Sequence, residues 1–219
     1  MSFFITFGAI AKLTARMLRA MLSRPFEFRP LIQQLYSLGV QSFSIAFLTA
    51  LFTGAVMALQ FGWGLERFGA GNYVGKVISV GFVMELGPVL TALLVGGRVG
   101  AGITAEIGSM NVTEQIDALI TLSTDPMRYL TVPRVLAGIL VVPLLVAVGD
   151  IIGIMGGYGV ATGSLGFSPA AYLRNTVNFL EPLDIASSLI KGTAFGLIAT
   201  TMGCYFGINA GRGARGVGR

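Results

Sequence analysis

Residues 40–61, VQSFSIAFLTALFTGAVMALQF, run for twenty-two positions without a charged side chain. A helix needs roughly 20 apolar residues to cross a hydrocarbon core, so this stretch reads as a transmembrane span, with Gln41 and Gln60 marking its ends. Working outward, a polar turn at 62–76 leads to a second span at 77–95, interrupted only by Glu85 and Pro88. A third span at 135–160 holds Pro143 and Asp150, and a fourth covers 185–206. The composition agrees: 54% of the chain is hydrophobic and 11% charged, with mean hydropathy +0.79, against about 25% charged residues in a soluble domain. The expected fold is an all-α polytopic membrane protein, with residues 1–219 forming one domain.

Shorter segments flank the spans. Ile10, Leu13, Met17 and Met21 recur at helical spacing opposite Lys12, Arg16 and Arg19, which predicts a helix over residues 1–25, lying in the membrane interface and ending at Pro25. Ser168 before Pro169 is an N-cap and first-turn pair, so a surface helix is expected over 168–178. The start MSFFITFGAI has no basic residue ahead of its apolar run, the reverse of a secretory leader.

Several chemistries are excluded. The chain has no histidine and a single cysteine, Cys204. That removes Ser-His-Asp and Cys-His nucleophiles, His-ligated zinc, disulfides and thiolate clusters. No GxxxxGK[ST] loop is present, so no ATP site, metal or cofactor is expected on this chain. The net charge of +5 comes from basic residues beside apolar spans rather than in a stripe with interleaved aromatics, which argues against nucleic acid. An intramembrane enzyme would need a paired nucleophile and base, and the nearest pair, Ser79 and Glu85, does not share a helical face.

Lys and Arg accumulate on the cytoplasmic side of membrane proteins. Placing the N-terminus, residues 96–134 and the C-terminal tail together collects eleven of the fifteen basic residues on one side; Arg67, Lys76 and Arg174 lie on the other, and Lys191 falls inside the fourth span. The segment 96–134 is therefore expected to be cytoplasmic. It carries seven of the twenty-five charged residues. Within it, Asn111 precedes Glu114 by three residues, the capping-box relation, so a short helix is predicted over 111–124. Val112, Ile116, Leu119 and Ile120 would form its apolar face and Glu114 and Asp117 its polar one, with Asp125-Pro126 ending it.

The run GRVGAGITAEIGSMNVTEQIDAL (97–119), followed by DPMRYLTVPR (125–134), resembles the MlaE/YrbE family of ABC transporter permeases, as do LYSLGVQS, GAVMALQ and MELGPVLTALLVGGR upstream. The likeness runs from about residue 30 to the end of the chain. It implies a homodimeric permease in the bacterial inner membrane, N-terminus cytoplasmic. Such a permease would move phospholipid to or from a periplasmic MCE-domain carrier, driven by a cytoplasmic ATPase and often accompanied by a STAS-domain protein. By the same resemblance Glu114, Gln115, Asp117, Ala118 and Leu119 dock in the ATPase. Glu85 faces a lipid cavity shared with Phe52, Val56, Leu59, Leu65, Phe68, Met84 and Leu86. Arg98 and Glu106 match family positions and are expected to pair and fix the start of the coupling helix. Family members carry a further apolar span after the Gly/Arg-rich stretch at 207–219, beyond the residues of this sequence.

An ionisable residue inside a span is costly and normally meets a cavity or a partner. Glu85 is thus the best single pointer to a path, and a gradient-driven carrier or channel using it is the rival reading. Pro88 would kink the helix beside it. Asp150 and Lys191 are expected to pair across helices or reach an interface. Gly192, Gly196, Gly203, Gly207 and Gly211, with Gly153/Gly157 and Gly159/Gly163, recur mostly at four-residue spacing and let helices approach closely, within one subunit or between two.

Overall fold

A computed structural model of the chain describes residues 2–21 and 28–210, and every regular element among them is helical. In chain order the helices are α1 (Ser2–Met21), α2 (Phe28–Arg67), α3 (Gly71–Val112), α4 (Gln115–Thr121), α5 (Met127–Gly163), α6 (Pro169–Phe179) and α7 (Pro182–Ile208). α2, α3, α5 and α7 are long and apolar enough to cross a membrane. Four spans and an all-α chain are therefore as the sequence predicts.

The first three spanning helices run well past the apolar stretches that reveal them. α2 starts at Phe28, not at residue 40, and its 40 residues make a rod of about 60 Å. Pro30 sits in its first turn, where a missing N–H loses no helical partner. The turn expected at 62–76 shrinks to residues 68–70, because Gly62 serves packing rather than chain reversal: a Cβ there would lie 2.3 Å from the Leu165 side chain. The stop is Gly69, at φ +67°. Its N–H donates to the Glu66 carbonyl at 2.9 Å and that of Ala70 to the Leu65 carbonyl at 2.9 Å, the paired bonds that close a helix on a left-handed glycine.

α3 extends through residues 96–112, which the sequence reading assigns to a polar segment. Its charged residues Arg98 and Glu106 end the apolar run but not the helix, because both are good helix formers. Two wide turns interrupt the spanning helices, at Phe82–Leu86 in α3 and Met127–Thr131 at the start of α5. In each, a backbone N–H reaches five residues back, Gly87 to Phe82 and Val132 to Met127, and a proline follows (Pro88, Pro133). Proline removes the donor that an ordinary α-turn would use at that point, and the widened turn forms just ahead of it.

The chain divides into two compact units, one of Met1–Gln41, Val95–Val141 and Ala194–Arg219, the other of Ser42–Leu94 and Val142–Thr193. The second unit is built on backbone proximity. A Cβ on Gly54 would lie 1.8 Å from the Gly153 carbonyl oxygen, one on Gly153 would enter the Phe82 ring at 2.3 Å, and one on Gly156 would meet the Leu51 carbonyl at 2.3 Å. Around these contacts Ala50, Met57, Ala58, Ile78, Phe82 and Tyr172 form the buried core. α6 packs on α3 in the same unit: Ser168 caps it by accepting from the Ala171 N–H at 3.4 Å, and Tyr172 donates its hydroxyl to the Ile154 carbonyl at 3.0 Å. Burial pushes that phenol above its ordinary pKa.

In the first unit, a Cβ on Gly203 would lie 2.9 Å from the Gly100 carbonyl and one on Gly207 2.8 Å from the Ile107 side chain. Much of the glycine spacing thus serves contacts within the chain. Gly159 and Gly163 approach nothing, and Gly211 lies outside the described residues. α1 buries Met17, half-buries Ile10 and Leu13 and exposes Lys12, Arg16 and Arg19, the two faces its periodicity predicts. Pro25 is outside the described residues.

Candidate functional site

The short helix of the polar segment is α4, Gln115–Thr121, four residues later at its start than the capping-box reading places it. Asn111 does not cap it. Asn111 lies near the end of α3, and its amide donates to the Ile208 carbonyl at 3.2 Å and the Ala210 carbonyl at 3.1 Å. Glu114 makes no side-chain cap and instead adopts the left-handed conformation at φ 59°. It both ends α3, its N–H reaching the Asn111 carbonyl, and begins α4, its carbonyl accepting from the Ala118 N–H at 3.0 Å. At the far end Ser123 is left-handed too, at φ 58°, and Thr124 N–H closes on the Leu119 carbonyl at 3.0 Å.

α4 is thus fixed at both ends by strained non-glycine residues and has no buried residue. Glu114, Gln115, Asp117 and Ala118 are exposed and Leu119 half-exposed, so the five residues singled out in sequence lie on or beside one accessible helix. Ile116 and Leu119 are half-buried as an apolar face should be, but Ile120 and Leu122 are 56% and 75% exposed. Because a left-handed side chain costs about 1–2 kcal/mol, Glu114→Gly is expected to raise the midpoint of thermal unfolding while removing the carboxylate; a lowered midpoint would mean that this side chain supports the fold.

Arg98 and Glu106 do not pair with each other. They stand eight residues apart on α3, about 12 Å along its axis, beyond reach of a single ion pair. Arg98 donates to the Gln41 backbone carbonyl. Glu106 meets Arg134 of α5, Oε1 to Nη2 at 2.7 Å, and Arg134 also donates from Nη1 to the Leu130 carbonyl at 2.6 Å. Arg134 is 5% exposed, the one buried cation among the described residues, whereas its place in the sequence marks it only as a cytoplasmic charge. A sequence signal exists in its position, one residue after Pro133 at the mouth of an apolar run.

Glu85 lies in the wide turn of α3, exposed, and pairs with Lys191 of α7, Oε1 to Nζ at 3.0 Å. Lys191 also donates to the Met84 carbonyl at 2.6 Å. That carbonyl is four residues before Pro88 and so has no α-helical donor; the ammonium supplies one. Asp150 accepts from the Ser188 hydroxyl at 2.8 Å, and its other oxygen occupies the space a Cβ on Gly87 would need, 1.7 Å away. Both internal charges of α5 and α7 are therefore partnered across helices. Lys191 as the partner of Glu85 was legible only as two opposite charges in apolar spans.

The apolar residues grouped with Glu85 separate into two sets. Phe52, Val56, Phe68 and Met84 are exposed, whereas Leu65 and Leu86 pack against the buried core and Leu59 is half-buried. Phe52 and Val56, one turn apart on α2, present a continuous apolar strip. Among the described residues no group of acidic or cysteine side chains could hold a metal.

Comparison with known proteins places these features. The family model described as Permease MlaE matches residues 31–219. A Rickettsia prowazekii protein named "Probable ABC transporter permease protein" is 51% identical over 195 residues, covering 89% of this chain and 75% of its own. A Synechocystis protein of the same description is 38% identical over 206 residues, 94% of this chain and 78% of its own. Protein trigalactosyldiacylglycerol 1, chloroplastic, of Arabidopsis thaliana is 35% identical over 192 residues, 88% of this chain and 55% of its own. These matches take in the four spanning helices, the exposed α4 and the paired charges of α3, α5 and α7, and they set aside the gradient-driven carrier. The chain belongs to the MlaE permease family and is the multi-pass membrane component of an ABC transporter, with a transport role rather than a catalytic one.

Proposed function

We propose that this permease moves phospholipid between the bacterial inner membrane and a periplasmic MCE-domain carrier, with α4 as the lever through which a cytoplasmic ATPase acts. A second copy of the chain completes the transport path, a STAS-domain protein accompanies the ATPase, and the N-terminus is cytoplasmic. The observation that carries the reading is the chemistry around the wide turn of α3. An amphiphile needs a charged contact for its head group beside apolar surface for its chains. Glu85 and Lys191 supply the first, and exposed Met84, with Phe52 and Val56 on α2, supplies apolar surface in the same unit. The Arabidopsis relative's name, which contains that of a diacylglycerol glycolipid, supports a cargo with acyl chains. Leu59, Leu65, Phe68 and Leu86 complete the apolar lining in this reading.

The lever reading rests on α4 being exposed, short and held at both ends by fixed backbone geometry, which suits a part that transmits force. ATP and its magnesium belong to the partner. Co-purification with the native ATPase tests it: Glu114→Lys/Asp117→Lys is expected to release the ATPase and abolish lipid-stimulated ATP turnover, and retention of both would sink the lever. Glu85→Gln is expected to change the amount of co-purified phospholipid with the dimer intact; unchanged lipid would remove Glu85 from the path.

A further inference from the structure

Between the C-terminal turn of α1 and the loop entering α5 lies an open cavity of about 390 Å³, lined by Arg16, Arg19, Ala20, Asp125, Met127 and Arg128. Three guanidinium groups and one carboxylate give its walls a net charge of +2. The carboxylate is already committed: Asp125 Oδ1 accepts from the Met127 N–H at 3.0 Å, and Oδ2 stands 3.8 Å from Arg128 Nε. Arg16 and Arg19 are exposed, and among the described residues neither makes an ion pair. Like charges one helical turn apart repel, so this arrangement favours an anion between them.

The location selects the anion. Met127 stands eight residues, about 12 Å, ahead of the apolar run that begins at Val135 in a helix long and apolar enough to cross a membrane, which sets the cavity on the head-group side of that run, whichever leaflet it faces. α1 turns Met17 inward and its arginines outward, as an interfacial helix with head-group contacts would. The guanidinium fork matches phosphate oxygens in pairs, and basic pockets beside membrane helices suit anionic head groups. We propose that this cavity is a phosphate-anion site filled by the head group of an acidic phospholipid from the adjoining leaflet, held as a bound lipid that ties α1 to the start of α5. The proposal does not depend on the cargo reading.

The test uses the full chain in phosphatidylcholine nanodiscs with and without phosphatidylglycerol, and in phosphatidylcholine with inorganic phosphate. Phosphatidylglycerol is expected to raise the unfolding midpoint of the wild type by several degrees. In Arg16→Gln/Arg19→Gln that rise should vanish and the phosphatidylglycerol retained per chain should fall at least about tenfold, since two charge-assisted contacts are lost. Arg128→Gln approaches the site from the other wall and should act in the same direction, while Lys12→Gln, on α1 but outside the cavity, should leave the response intact. A wild-type response in both arginine variants, or an equal loss in Lys12→Gln, overturns the site. An equal rise with inorganic phosphate alone overturns the lipid as its source.

Discussion

Gly54→Val is expected to be the most damaging single substitution in this chain, lowering unfolding free energy by about 3 kcal/mol or more, at the upper end of overpacking costs. The reason is what a side chain would hit. At Gly54 the first β-carbon already lies 1.8 Å from the Gly153 carbonyl oxygen and 2.9 Å from its Cα. Backbone cannot rotate aside as a leucine side chain can, so α2 and α5 must separate. Separation also opens the contact of Gly156 with the Leu51 backbone, the other close approach of these two helices. Gly64→Ala is the matched control: nothing stands within 4 Å of its β-carbon, and alanine in a helix is favoured over glycine by about 1 kcal/mol. Thermal or denaturant unfolding of the detergent-solubilised protein reads both. If Gly54→Val unfolds within a degree of the wild type, the close approach of these two helices is not as described.

Glu106→Ala should come next, at about 2–3 kcal/mol. Removing one partner of a buried pair typically costs about 3–5 kcal/mol; the figure is lowered here because the Glu106 side chain is 52% exposed and water can reach its place. What remains is Arg134, 6% exposed at its side chain, with Nε already lacking an acceptor. The asymmetry of the pair gives a sharper test than either loss alone. Arg134→Met leaves behind a half-solvated carboxylate, which tolerates isolation, so it should cost less than Glu106→Ala. The double substitution should recover part of the Glu106→Ala loss, since it removes the stranded cation. Equal effects of the two single variants would mean that Arg134 finds another anion when Glu106 is gone.

These two sites show where reading from sequence succeeds and where it stops. The four spans follow from apolar length broken by at most one charged side chain each, a property of composition, and Ser168-Pro169 locates α6 because capping chemistry is local. Gly62 misleads because glycine carries two meanings, chain reversal and close approach, and only the Leu165 side chain opposite it decides between them. The capping box at Asn111 and Glu114 fails for a related reason. Asn111 finds carbonyls at Ile208 and Ala210, almost a hundred residues away, and a distant pair of acceptors overrides a local preference. Ion pairs are the least legible. Arg98 and Glu106 are neighbours in sequence terms, yet each is claimed by another helix. The five residues of α4 assigned to the ATPase rest on family resemblance and on their exposure, since their spacing alone does not distinguish a lever from an ordinary loop helix.

The wide turn of α3 acts on the helix as a change of metre. Val74, Ile78 and Phe82 are buried at steps of four, and Gly87 and Thr91 continue at that step, all buried. Between Phe82 and Gly87 the step is five. One additional residue is spliced into the rhythm there, and a turn of i→i+5 bonds absorbs it, so a single inward stripe runs through the helix on both sides of Glu85. Elsewhere in α3 an inserted or deleted residue would rotate everything downstream by about 100° and turn that stripe away from its neighbours. At Phe82–Leu86 the wide turn takes up one residue more than an α-turn does, and Glu85 stands within it.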